Sequence, residues 1–125
     1  MLRSAVWFGA FALVLAGCGG ADDRPEAVSG HVLYRGKPLA GGTIVFEPDP
    51  ERGGDGPVAG GEIGPDGRYA LRPEDGSGVS PGWHRVTFAA ASGTTLPLRY
   101  SDPARCGQSC EVKAGRANEI NFDLQ

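Results

Sequence analysis

Gly82-Trp83-His84-Arg85-Val86-Thr87-Phe88-Ala89 alternates residue by residue. His84, Val86 and Phe88 fall on one side of an extended chain, and Trp83, Arg85 and Thr87 on the other. Successive side chains of a strand point to opposite faces, so a period of two marks a strand with one buried face. The same pattern recurs toward the N-terminus, where Val28, Gly30, Val32 and Tyr34 oppose Ser29, His31 and Arg35. It recurs again at the end of the chain, where Ile120, Phe122 and Leu124 oppose Asn121 and Asp123.

Between these lie further short strand candidates. Thr43-Ile44-Val45-Phe46-Glu47 is rich in β-branched and aromatic residues. Residues 58–63 and 68–71 flank Gly64-Pro65-Asp66-Gly67, whose Asp-Gly pair tolerates positive φ and reads as a hairpin turn. Residues 109–113 form one more brief strand, which makes seven. Arg35-Gly36-Lys37-Pro38-Leu39 reads as a turn, residues 48–57 as a long polar loop, and residues 72–81 and 92–105 as irregular. Gly (21) and Pro (10) make up about a quarter of the 125 residues, which argues against a helical bundle. The expected interior set is Val28, Val32, Tyr34, Ile44, Phe46, Ile63, Tyr69, Leu71, Val86, Phe88, Val112, Ile120, Phe122 and Leu124. The fold class is therefore all-β, a seven-stranded β-sandwich.

The chain starts differently. Arg3 precedes a twelve-residue apolar run, Ala5 to Ala16, too short to span a bilayer and suited to the helical core of a secretory signal peptide. It ends in Leu15-Ala16-Gly17-Cys18, which resembles the bacterial lipobox. That resemblance implies cleavage before Cys18 and attachment of diacylglycerol to its thiol, with fatty acids such as palmitate holding the protein on a membrane. The expected organisation is a signal peptide at 1–17, a lipid-anchored polar tether at 18–27 and a β-domain at 28–125. Gly19 follows the cysteine where an Asp retains some lipoproteins in the inner membrane, so the outer membrane or periplasmic face is the expected location.

Several segments together resemble one family: Val28-Ser29-Gly30-His31-Val32-Leu33-Tyr34-Arg35-Gly36-Lys37-Pro38-Leu39, Gly42-Thr43-Ile44-Val45-Phe46-Glu47-Pro48, Gly64-Pro65-Asp66-Gly67-Arg68-Tyr69, Pro81-Gly82-Trp83-His84-Arg85-Val86-Thr87 and Leu98-Arg99-Tyr100-Ser101-Asp102-Pro103. They resemble the carboxypeptidase regulatory-like, transthyretin-like domain of small planctomycete lipoproteins. The resemblance implies a prealbumin-like sandwich with Greek-key connections and no established enzymatic role. The hydroxyisourate hydrolase relatives of transthyretin end in Tyr-Arg-Gly-Ser; this chain ends Asn121-Phe122-Asp123-Leu124-Gln125, so that activity is not implied.

Few residues point to chemistry. Cys106 and Cys110 would be exported with the domain, and an oxidising compartment favours a disulfide between them. Four extended steps separate Cα atoms by about 13 Å, against the roughly 7 Å a disulfide permits, so the bond needs a turn, which Gly107 allows. A metal or redox pair, or two free thiols, are the alternatives. His84 reads as an inward structural histidine rather than a catalytic base, and His31 as a surface strand residue. Glu47, Asp49, Glu51 and Asp55 lack the acidic spacing of an EF-hand and read as a solvated loop. Ser77 lies in Gly-Ser-Gly without the surroundings of a nucleophile elbow. The formal charge of −3 offers no basic face for nucleic acid. No catalytic residue, cofactor or metal is expected. The expected function is a non-enzymatic membrane-anchored scaffold or protein-binding module of the cell envelope. Its partners are the membrane and an envelope protein or glycan. The alternative is a carbohydrate- or small-ligand-binding module with Trp83 and Tyr100 as stacking surfaces, and a weaker one is a hydrolase built on His84.

Overall fold

Residues 24–125 are described in the structure, a computed structural model. The expected signal peptide and Cys18 lie outside the described residues. The strands are β1 (Val28–Tyr34), β2 (Lys37–Pro38), β3 (Thr43–Pro48), β4 (Ala59–Glu62), β5 (Arg68–Leu71), β6 (Gly82–Ala89), β7 (Ser109–Val112), β8 (Asn118–Glu119) and β9 (Phe122–Leu124). They form two sheets, joined by loops and short 3-10 turns, with no α-helix among the described residues.

In one sheet β1 is central. It runs antiparallel to β5 over Val28–His31 and to β2 over Leu33–Tyr34, and parallel to β8 and β9. The other sheet has the order β4-β3-β6-β7, antiparallel throughout. Aromatic rings from both layers meet between them. Phe88 and Phe46 of the second sheet stand edge-on to Phe122 of the first, at 5.2 and 6.2 Å between centroids, and Tyr69 lies 6.1 Å from Phe46. Edge-to-face rings add to the burial energy through their quadrupoles, so these contacts help hold the two layers together.

Every residue of the expected interior set is buried except Tyr34 and Ile120, which are partly buried and pack against the same cluster. The alternation in β6 is realised, although Thr87 is buried too. Leu39, Ala59, Val79 and Tyr100 join the core from turns, a loop and a strand start, where no alternation announced them.

Among the described residues the strands number nine segments rather than seven, for two local reasons. First, the turn after β1 is a two-residue hairpin. Arg35 and Gly36 both have positive φ (55° and 81°), the geometry of a type I′ turn, and this lays β2 back on β1. Second, the closing strand is interrupted at Ile120 and Asn121. There the Ile120 carbonyl presses on Gly30, where any Cβ would collide with it. The ladder is completed by other groups. Ile120 N–H donates to Ser29 O at 2.8 Å, Tyr69 O–H donates to Ile120 O at 2.6 Å, and His31 N–H donates to Asn121 Oδ1 at 2.9 Å.

The Gly64–Gly67 turn also departs from the expected hairpin. It closes as a hairpin tip does, with Gly67 N–H donating to Gly64 O (3.0 Å) and Gly64 N–H to Arg68 O (2.7 Å). Its two strands then part, β4 joining β3 and β5 joining β1. The turn therefore carries the chain from one sheet to the other, and Ile63 and Tyr69 on either side of it both enter the core.

Candidate functional site

The residues before β1 and the start of β6 lie at one end of the sandwich. Glu26 is bridged to Val79 by two main-chain hydrogen bonds of 2.8 and 2.9 Å, and its carboxylate accepts from Gly115 N–H. At this end a cleft of about 510 Å³ opens between Pro25, the Pro48–Pro57 loop, Ser80, Pro81 and Trp83. A second depression of about 570 Å³ lies over β5, lined by Ser29, Glu62, Arg68 and Glu119. It has no aromatic surface beyond the interior Tyr69, so the first cleft is the candidate site.

The wall of that cleft is not the solvated loop expected for residues 48–57. Asp49 N–H donates to Trp83 O at 3.0 Å, which fastens the loop to β6. Asp49 then caps a 3-10 turn over Pro50–Arg52, its Oδ1 accepting from Glu51 N–H at 3.0 Å, and the turn ends at Gly53 with φ 82°. Asp at the cap, Pro at the first position and Gly at the end is a helix-start and helix-stop pattern readable in Asp49-Pro50-Glu51-Arg52-Gly53. Pro and Gly argue against a strand or an α-helix over 48–57, but they are the residues that open and close a single 3-10 turn.

This turn carries the electrostatics. Asp49 is 6% exposed, and buried carboxylates need partners. It pairs with Arg85 Nε at 3.2 Å and Arg52 Nε at 3.8 Å, and Arg85 also reaches Glu51 at 3.4 Å. The Arg52 guanidinium lies over the Trp83 ring, 4.1 Å from its centroid. Trp83 is half-buried, and its stacking surface is thus occupied by the chain's own cation. Asp55 lines the same cleft, is exposed, and enters no ion pair among the described residues.

Tyr100, expected as a second stacking surface, is interior. A 3-10 turn at Leu98–Ser101 turns its ring edge-on to Phe88, and its hydroxyl accepts from Gln125 N–H at 2.9 Å. It is 2% exposed and offers nothing to a ligand.

The expected Cys106–Cys110 disulfide is absent, and both are free thiols. Cys110 sits in β7 opposite His84 and packs against the core. Cys106 lies before the strand, its sulfur 3.6 Å from the carbonyls of Pro103 and Gln108. Gly107 between them does take the left-handed conformation of a turn, with φ 71°, yet the two sulfurs are not joined. Burial pushes the Cys110 thiol up to about 12, and burial, with Cys110 second, raises Tyr69 as well.

His84 is inward as expected, 1% exposed, with Nδ1 3.0 Å from Gly82 O. Its Nε2 is buried without a hydrogen-bond partner, and burial lowers its basicity more than the Gly82 contact raises it. Ser77 closes its own loop, accepting from Arg72 N–H at 2.9 Å. Asp66 is a turn residue that accepts from Arg68 N–H at 3.1 Å. Among the described residues no three His, Cys, Asp or Glu side chains gather as a metal set. No protein-family model, curated protein or solved structure matches the chain.

Proposed function

We propose that this chain is a non-enzymatic, lipid-anchored module of the bacterial cell envelope that binds a partner protein. One observation carries the reading: the fold is tied down at Glu26, directly after the lipobox-like Leu15-Ala16-Gly17-Cys18 and a short polar stretch. Gly19 to Pro25, fully extended, reach at most about 25 Å. A cysteine acylated at position 18 holds such a domain close to the bilayer, and two or more acyl chains make the attachment stable.

The finer fold belongs to the same proposal. The order β4-β3-β6-β7 in one sheet, with β1 between β5 and a parallel β9 in the other, supports a prealbumin-like Greek key. It also fits the resemblance to the carboxypeptidase regulatory-like, transthyretin-like lipoproteins. On this reading β8 and β9 are one interrupted strand and β2 extends the β1 turn. The glycan-binding alternative retains Trp83 alone, since Tyr100 is interior.

Expressed in a bacterium with lipoprotein processing, the wild type is expected in the membrane fraction and to incorporate labelled fatty acid. Cys18→Ala is expected to lose the label and leave that fraction. Unchanged membrane partition and labelling in Cys18→Ala would overturn the proposal.

A further inference from the structure

We infer that the Trp83 cleft is a receptor for a cationic side chain, an arginine above all, of a partner polypeptide, and that Arg52 holds the place of that side chain until it arrives. The inference rests on the reading of the chain as a protein-binding module and supplies the chemistry of its partner.

The chemistry follows from what occupies the site. The Trp83 face holds a guanidinium at 4.1 Å, the arrangement in which a flat cation gains most from an indole. One carboxylate lines the cleft, Asp55, which is exposed and enters no ion pair among the described residues; Asp49, nearly buried and held by its cap hydrogen bond and by Arg85, lies outside the lining. An arginine that displaced Arg52 from the ring would therefore find an unpaired carboxylate in the same cleft. A neutral sugar gains no charge attraction from Asp55, and an anionic partner is repelled by it.

Arg52 is suited to yield its place. Its side chain is 48% exposed and its ion pair with Asp49 is long, at 3.8 Å. Exposed ion pairs and exposed cation–π contacts each contribute little. Arg85, by contrast, holds Asp49 at 3.2 Å with only 21% of its side chain exposed. The loop stays fastened through Arg85 and the Asp49–Trp83 main-chain bond when Arg52 swings out. Beyond the ring, Gly53, Gly54, Gly56 and Gly82 leave backbone uncovered along the cleft, which suits an extended segment running beside it.

The test uses the protein extracted in detergent from bacterial membranes and carrying Trp7→Phe, so that Trp83 is the sole indole whether or not residues 1–17 have been removed. The probes are a Gly/Ser peptide carrying two arginines, the same peptide carrying two glutamates, and maltohexaose. The expected result is a saturable change in Trp83 emission with the arginine peptide alone. Calorimetry is expected to show the affinity rising about fivefold in Arg52→Ala, and likewise in Arg52→Gln, whose stem still covers the loop. The affinity is expected to fall about tenfold in Trp83→Ala and severalfold in Asp55→Asn. A rise on removing a positive charge from the receptor does not by itself separate displacement from bulk electrostatics, so Lys37→Ala, exposed in β2 beside the far end of β1, serves as the charge-matched control and is expected to leave affinity within twofold. Three results would each overturn the inference: no response to the arginine peptide in either the wild type or Arg52→Ala, equal gains in Arg52→Ala and Lys37→Ala, or a response to maltohexaose alone. None of these alters the membrane fractionation of Cys18→Ala, by which the module reading stands or falls separately.

Discussion

The His84 imidazole is packed into the sandwich in its neutral form, with Phe46 6.1 Å away between ring centroids and Cys110 opposite on β7. Burial lowers its pKa below the ordinary 6.5, so in the acid range the unfolded chain takes up a proton that the folded one refuses. Stability then rises with pH wherever the unfolded state binds more protons. This contribution is complete above about pH 6.5 and is lost as pH falls below it, with a slope of at most about 1.4 kcal/mol per pH unit. Urea titrations between pH 7.5 and 5 are expected to show this loss in the wild type and a flatter profile in His84→Met. Parallel profiles would mean that other groups set the acid limit. The neighbouring thiol gives a second expectation. With its pKa at about 12, Cys110 is protonated at pH 8, and the thiolate is the reactive form. Iodoacetamide at pH 8 is expected to leave Cys106 and Cys110 unmodified in the folded protein and to label both in guanidinium chloride. Reduction is expected to leave the mass unchanged, whereas a two-proton gain would reinstate the bridge.

Among the elements, the Gly64–Gly67 turn does the most to shape the fold, because it moves the chain between layers. Gly67 has φ 83°, and a Cβ there would stand 2.9 Å from Pro38 Cβ and 3.0 Å from Val32 O. Gly67→Ala thus combines a disfavoured backbone with a clash against β1 and β2, and is expected to cost about 1–2 kcal/mol in denaturant unfolding. A loss below about 0.5 kcal/mol would show that the turn relaxes freely. The Asp-Gly signal located this turn in the sequence, but it could not say that β4 and β5 part beyond it. That depends on which strands offer free edges, and edges are a property of the assembled sheets. The interior faces of β1, β3, β5, β6 and β9 were legible for the opposite reason, since alternation is local and one buried face is enough to produce it. Tyr100, Val79 and Leu39 were not legible, because a residue buried from a turn leaves no period. At the site, Asp49 and Gly53 carry a readable cap and stop, while the stack of Arg52 on Trp83 depends on a loop folding back across β6.

For the whole molecule, the arrangement separates two roles. The aromatic interior supplies the stability, and the strand ends carry loops that are held by a few polar contacts. One end brings together the start of the fold, the Asp49–Gly53 turn and the Trp83 cleft. If Cys18 carries the proposed acyl anchor, this end is the one joined to the bilayer by the short 19–25 stretch, and the proposed basic partner segment would be met within reach of the membrane. The anchor is the premise on which this orientation rests, and the mass of the N-terminal peptide from protein extracted out of bacterial membranes tests it most directly. The account predicts a chain beginning at Cys18 and carrying the mass of a diacylglyceryl group or a further acyl chain. A chain beginning at Met1, or at any residue other than Cys18, or an unmodified Cys18, would contradict it.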